Sequence, residues 1–314
     1  MPAQELNRAQ ALRILGAVPD FRPGPEENSI SHGLPAGSVT DDTLQSLLVA
    51  RLLVEGGGRI EPRRLADELL AWEREMAERG LTGLLGPSTK RALEAVAGGA
   101  DPATTGGGGI TNGAAMRIAP VGIATPPEPI ERLVEAVAAA GKVTHDTGVA
   151  NAGAAAVAMA VSCGVAGLGF EEALGPAVEA ASRASRFGQA HHDNHLAEKL
   201  LRAVSIARAH AGDELAAVDA LLAGIGTGVA TEESVPAAFG VAALAPADAW
   251  RACGLAAGLG GDTDTIAALV GAMIGACTGL AALPAEAVAT VRRVNDLDLE
   301  PVVTKLLELR RSLQ

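Results

Sequence analysis

The chain has 314 residues, 48% of them hydrophobic and 2% aromatic with no Tyr, and a net charge of −12. That apolar content is ample for one large core, and no Pro-rich or charged linker divides the chain, so residues 1–314 read as a single domain. An acidic protein with so few rings offers neither the basic footprint nor the stacking platforms that nucleic acid requires, and no nucleic-acid partner is expected.

Residues 1–38 read as irregular or only partly helical, with Pro23, Pro25 and Pro35 as breakers. Val39-Thr40-Asp41-Asp42-Thr43 then precedes an apolar periodic segment through Leu44, Leu47, Leu48 and Leu52, and a helix is predicted over 43–56. A second helix over 61–79 places Leu65, Leu69, Leu70 and Met76 on one face and its charges on the solvated face opposite. A short helix over 87–97 follows. Gly98 to Gly113 is a Gly/Thr-rich loop, and its Gly106–Gly109 run is either flexible or a backbone cradle for a pyrophosphate.

Helices are predicted over 129–141, 149–164, 171–184 and 196–211, with Thr144-His145 just beyond the first of them. The cluster His191-His192-Asp193-Asn194-His195 reads as exposed imidazoles around a helix cap, because a closed metal site draws on separate ligand sets. Gly224 to Gly228 forms a loop before a helix start at Thr231-Glu232-Glu233-Ser234, with Pro236 in its first turn. Two packing helices, 286–294 and 299–312, end the chain. No segment alternates as a strand does, so the fold class is all-α.

Thr147 to Phe170 and Thr265 to Ala285 are uncharged and long enough to raise the question of a membrane span. They are mostly Ala and Gly, lack an aromatic belt and adjoin polar motifs, which suits central helices of a helical protein; no membrane partner is expected. The N-terminus lacks the charged and apolar regions of a signal peptide. Cys163, Cys253 and Cys277 have no metal or redox spacing and read as reduced thiols of a cytoplasmic protein.

The chemistry concentrates in Gly258-Leu259-Gly260-Gly261-Asp262-Thr263-Asp264-Thr265, directly before an uncharged run. Two carboxylates two residues apart with a neighbouring hydroxyl make a set of hard oxygen ligands for Mg²⁺ or Mn²⁺. Helix capping would explain one acid there but not the pair. Asp41 and Asp42, adjacent and mutually repelling without a cation, supply a second such cluster, and the two together suggest one shared binuclear site closed by the fold.

The two clusters resemble the metal-binding signatures of the ADP-ribosylglycohydrolase family, which read much like Thr-Asp-Asp-Thr and Gly-Gly-Asp-Thr-Asp-Thr in this order. Further matches are Asn112-Gly113-Ala114-Ala115-Met116-Arg117-Ile118-Ala119-Pro120, Thr144-His145, and Glu233-Ser234-Val235-Pro236-Ala237-Ala238. The resemblance implies a compact multi-helix domain, here apparently lacking the family's first helix, since Met1-Pro2-Ala3-Gln4 looks like the residues just after a Gly-Asp-Ala-Leu-Gly type motif. It implies that Thr40, Asp41, Asp42, Asp262, Asp264 and Thr265 bind two Mg²⁺ ions, with Mn²⁺ as a substitute. It also implies that Asp41, Asp42 or Asp264 activates water or stabilises charge, and that Asn112, His145, Gly109 and Gly113 line the substrate pocket. Gln4 or Glu5 would stand near a Glu that reaches towards the metals in relatives.

The activity implied is hydrolysis of a glycosidic bond to the anomeric carbon of ADP-ribose, on a modified protein or a small conjugate. Two alternatives stay open: hydrolysis of a smaller N-riboside or nucleotide, and a non-catalytic crystallin-like or ligand-binding role. Six retained ligands speak against the last, because a scaffold has no need of uncompensated buried acids. Oligomeric state is not legible in the sequence.

Overall fold

The computed structural model describes residues 2–16, 20–81, 83–189 and 195–313. Among them the helices are α1 (Arg8–Leu15), α2 (Asp41–Glu55), α3 (Pro62–Glu78), α4 (Pro87–Ala97), α5 (Gly113–Met116), α6 (Ala119–Ala124), α7 (Ile130–Gly141) and α8 (Gly148–Val165). They continue with α9 (Phe170–Ala184), α10 (Leu196–Ala209), α11 (Glu214–Gly224), α12 (Thr231–Leu244), α13 (Ala249–Ala257), α14 (Thr263–Thr278), α15 (Ala285–Asn295) and α16 (Glu300–Ser312). Among the described residues extended pairing is confined to one antiparallel bridge, Thr111 to Ala230, and the fold is all-α.

Local sequence explains many of the helix starts. Asn7 and Gln10 form a reciprocal capping box on α1, the Glu61 carboxylate accepts from the N–H groups of Arg63 and Arg64 ahead of Pro62, and Thr147 and Asp248 cap α8 and α13. Most long helices lie close to their expected spans, but α14 stops at Thr278, where Gly279 takes a φ of 78°, short of the end of the apolar run at Ala285. Four elements had no predicted helix: α5, α6, α11 and α13, of which α5 and α6 are short and α11 is apolar around much of its circumference. Pro236 is a correction. It sits inside α12, beyond the first turn, and having no N–H it leaves the Glu232 carbonyl without an intrahelical partner.

The core is organised around α8, against which α5, α6, α7, α9, α12 and α14 pack. It is long and apolar enough to cross a membrane by length and composition, yet 89% of it is buried by its own neighbours, the pattern of a central helix. Its Ala and Gly content permits close approach: a Cβ at Gly164 would lie 2.7 Å from the Cys277 N, so α8 and α14 meet backbone to backbone. One hydrophobic cluster runs from Leu48 to Leu306. The α16 helix is fastened by Arg310, whose guanidinium donates to the Gly122, Thr125 and Ser162 carbonyls and to Ser162 Oγ. His191 to Asn194 lie outside the described residues; His195 is exposed, 3.3 Å from Glu198.

Candidate active site

The two acidic clusters meet. Asp41 and Asp42 occupy the first turn of α2, Asp264 the first turn of α14, and one carboxylate oxygen from each of the three lies within 4.8 Å of the others. Asp262 stands at the N-cap position of α14, hydrogen-bonded to Asp264. Neither Thr40 nor Asp262 caps its helix through its side chain. Thr40 Oγ1 instead donates to Asp42 Oδ2 at 2.7 Å, and Thr265 donates to the same carboxylate. Capping therefore does not account for these residues, although the positive ends of two helix dipoles help to tolerate their charge.

All four carboxylates are buried and pushed up from their ordinary pKa range. Burial is the main cause in each case; Asp42 rises to about 7, with the Asp264 charge adding to it, and Asp262 to about 8, again with Asp264. Asp41 is raised well above its usual value by burial, then by Asp42 and Asp264. Asp42 Oδ1 and Asp264 Oδ1 are buried with no hydrogen-bond partner. Orphaned hard oxygens in a cluster that resists ionisation fit a divalent cation, which would supply the missing countercharge.

Asp41, Asp262, Asp264 and Thr265 form the floor of a cavity of about 130 Å³, with Asp42 behind them. The Gly83–Pro87 turn and Thr89, the Thr111–Gly113 segment with Met116, Val229, and the Gln4–Glu5 segment wall it. Gln4–Glu5 is anchored on the metal loop itself, since the Glu5 N–H donates to the Gly261 carbonyl at 2.9 Å and Glu5 adopts a left-handed φ of 61°. Gly261 also requires its glycine: φ is +80°, and a Cβ would lie 2.5 Å from the Thr227 carbonyl oxygen that receives the Asp262 N–H. A second hollow of about 180 Å³ lies among Leu15, Leu34, Trp250 and Cys253 and is lined by none of the clustered acids.

The expected substrate residues fall into two layers. Asn112 lines the cavity and donates from Nδ2 to Asp262 Oδ2 at 2.5 Å and to Ser234 Oγ at 3.0 Å. Gly113 also lines it, and a Cβ there would lie 2.7 Å from His145 Cε1. His145 itself is wholly buried behind this wall, its Nε2 3.0 Å from Thr111 Oγ1 and its Nδ1 2.7 Å from Thr144 Oγ1. Burial, with the charges of Arg117 and Arg91, holds it well below the usual imidazole pKa and therefore neutral. Gly109 packs against the Thr144–His145 backbone, where a Cβ would meet the Thr144 carbonyl at 2.1 Å.

Arg117 and Gln45 had no assigned role from sequence. Arg117 is buried, and its Nη1 donates to Gln45 Oε1 at 2.8 Å and its Nη2 to Thr144 Oγ1 at 2.5 Å; Gln45 Nε2 in turn faces Asp41 Oδ2 at 3.4 Å. Burial lowers the guanidinium pKa only to about 10, so a permanent cation stands behind the acidic floor. In the sequence it shows as a charged residue between Met116 and Ile118 in an otherwise apolar run, within the Asn112–Pro120 match to the family.

Comparison with known proteins identifies the family and the fold. The family model described as ADP-ribosylglycohydrolase matches residues 1–314. An uncharacterised Escherichia coli (strain K12) protein, YegU, is 33% identical over 312 residues, spanning 99% of this chain and 93% of that protein. An uncharacterised Archaeoglobus fulgidus protein is 32% identical over 316 residues, spanning 100% and 92%. A solved structure described as an ADP-ribosylglycohydrolase-related protein complex superposes with a TM-score of 0.65 at 27% identity, over 100% of this chain and 99% of its own. The chain belongs to the ADP-ribosylglycohydrolase family.

Proposed function

We propose that the protein is a Mg²⁺-dependent hydrolase that cleaves a glycosidic bond at the anomeric carbon of ribose, with ADP-ribosylated side chains or small ADP-ribose conjugates as the substrates its family suggests. The observation that carries this reading is the convergence of Asp41, Asp42, Asp262 and Asp264 from two distant helix starts, with Asp41, Asp262 and Asp264 lining one cavity and buried carboxylate oxygens left unpartnered.

Asp41, Asp42, Asp262 and Asp264, with the Thr40 and Thr265 hydroxyls beside them, would hold two such ions. When bound, the metal orients vicinal hydroxyls of the sugar and acidifies water. The chain's own contribution is positional and electrostatic. Asn112 fixes one Asp262 oxygen, and Thr40 and Thr265 hold the Asp42 carboxylate while its Oδ1 stays unpartnered. Carboxylates facing the anomeric carbon stabilise its oxocarbenium-like charge, and Asp41, Asp42 or Asp264 accepts the proton that the attacking water gives up. The buried Thr111–His145–Thr144 chain holds the back wall in place. A cytoplasmic location is part of the same reading, supported by three unpaired thiols.

The test is release of free ADP-ribose from ADP-ribosylated arginine or serine peptides with Mg²⁺, Mn²⁺ or chelator present. Metal-dependent release is expected. An unchanged rate in chelator would reject the metal-dependent reading, and no release from any conjugate would reject ADP-ribose as the substrate class.

A further inference from the structure

We propose that the Thr111 hydroxyl is a substrate-binding donor, its hydrogen kept free for a ribose or phosphate oxygen of the ligand by a one-way hydrogen-bond chain that begins at Arg117. This rests on the ribosyl substrate proposed above. Thr111 lines the cavity together with Asp41, Asp262 and Asp264, whereas His145, the next member of the chain, is wholly buried and does not line it. The imidazole therefore acts on the cavity through the threonine.

The direction of the chain follows from which atoms can donate. A guanidinium has N–H donors and no acceptor, so Arg117 Nη2 donates to Thr144 Oγ1, at 2.5 Å. Thr144 is 1% exposed, which leaves its hydroxyl hydrogen no water to turn to. Among the described residues the other partner of Thr144 Oγ1 is His145 Nδ1, at 2.7 Å, and Nδ1 is therefore the acceptor. A neutral imidazole then carries its hydrogen on Nε2, and that N–H donates to Thr111 Oγ1 at 3.0 Å. The opposite tautomer would direct two donors at Thr144 Oγ1 and bury the Thr144 hydrogen without an acceptor, at the full desolvation penalty of the group. Burial and the neighbouring Arg117 charge keep the ring from protonating.

At the end of the chain Thr111 Oγ1 has accepted the ring N–H, and its own hydrogen has no partner among the described residues. Two other lining side chains have committed their donors, Asn112 Nδ2 to Asp262 and Ser234, and the Thr265 hydroxyl to Asp42. The Thr111 backbone is fixed on both sides. The Thr231 N–H donates to the Ile110 carbonyl at 3.1 Å, the Thr231 hydroxyl to the Thr111 carbonyl at 2.8 Å, and the Asn112 N–H to the Val229 carbonyl at 2.9 Å. Gly113 admits the imidazole against this segment, since a Cβ there would stand 3.0 Å from Nε2. A donor positioned before the ligand arrives loses little freedom on binding.

The experiment measures ADP-ribose binding by calorimetry with Mg²⁺ present. Thr111→Val keeps the shape and removes the hydroxyl, and is expected to weaken binding about fivefold to tenfold, the worth of one hydrogen bond. Thr111→Ser keeps the donor and is expected to bind within about twofold of the unmodified chain. Equal affinity in Thr111→Val overturns the proposal while leaving the ribosyl reading intact. An equal loss in Thr111→Ser assigns the effect to packing and overturns it too, and no binding of ADP-ribose by the unmodified chain removes both. Melting-temperature shifts with ribose and with ribose 5-phosphate locate the acceptor: a Thr111→Val loss shared by ribose places it on the sugar, and one that first appears with ribose 5-phosphate places it on the phosphate.

Ring-nitrogen NMR gives a readout that needs no ligand. In the ligand-free protein His145 is expected as the Nε2–H tautomer at neutral pH, and an Nδ1–H or doubly protonated ring overturns the chain. Arg117→Lys retains a donor for Thr144 and is expected to keep that tautomer, whereas Arg117→Met is expected to populate both. A ring unchanged in Arg117→Met shows that the direction does not originate at Arg117 and overturns the proposal in that form.

Discussion

Asn112 Nδ2 lies 2.5 Å from Asp262 Oδ2, joining the loop before α5 to the loop before α14 across 150 residues of sequence. The amide cannot ionise and donates to an oxygen of an acid that is itself reluctant to ionise, so it selects the orientation of that acid and favours its charged form. Asn112→Ala should lower kcat about 10- to 100-fold, the worth of a hydrogen bond to a charged group, with the fold retained. Circular dichroism and steady-state kinetics check this; wild-type kcat would mean that Asp262 is held by α14 alone.

Removing acids from the floor should separate stability from metal binding. Asp262→Asn together with Asp264→Asn is expected to abolish Mn²⁺ binding in calorimetry while leaving the metal-free melting temperature equal or higher, because buried like charges are removed. Retained Mn²⁺ affinity would sink the ligand assignment.

The same shifts set a pH dependence. Asp42 and Asp262 have folded pKa values of about 7 and about 8, above the ordinary carboxyl value of 3.8. The folded state therefore holds more protons than the unfolded state between those limits. Their contribution to stability is fully present below the unfolded pKa and is lost as pH rises through about 7 to 8. In chelator, the melting temperature should fall between pH about 5 and 8, and saturating Mg²⁺ should remove most of that fall by binding the ionised cluster. A metal-free protein whose stability is flat over this range contradicts the burial of the cluster.

Gly261→Ala combines a left-handed backbone with a Cβ 2.5 Å from the Thr227 oxygen. A destabilisation of about 2–4 kcal/mol is expected from urea unfolding, with a loss of metal affinity, because this contact places Asp262.

Arg310→Ala leaves the Gly122, Thr125 and Ser162 acceptors beneath α16 unfilled. Stability should fall by about 3–5 kcal/mol without a change in Mn²⁺ affinity, since Arg310 touches none of the clustered acids. A matched loss of metal affinity would show that α16 and the site unfold together.

Much of the architecture was readable because its causes are local. The α4 span follows from Pro87 and the spacing of Leu93 and Val96, and the α8 span from an uninterrupted Ala-rich run. The short α6 and the broadly apolar α11 were not readable, for lack of a clear periodic face, and α12 carries Pro236 because surrounding helices hold it despite the lost hydrogen bond. In the site, Asp41, Asp42, Asp262 and Asp264 could be picked out because adjacent acids before apolar helices are costly without a purpose. The roles of Gln45 and Arg117 were hidden, since a relay to Asp41 and Thr144 depends on contacts distant in the chain.

The amino-acid sequence by itself determined the helical class and the two acidic clusters, because periodicity, caps and charge repulsion act over a few residues. It also carried the family signatures. Only the tertiary structure decided that those clusters meet in one site and that Asn112 reaches Asp262 while His145 stands one layer behind the cavity. These properties depend on how α2, α5 and α14 pack around α8, and packing fixes distances between residues that no local pattern relates.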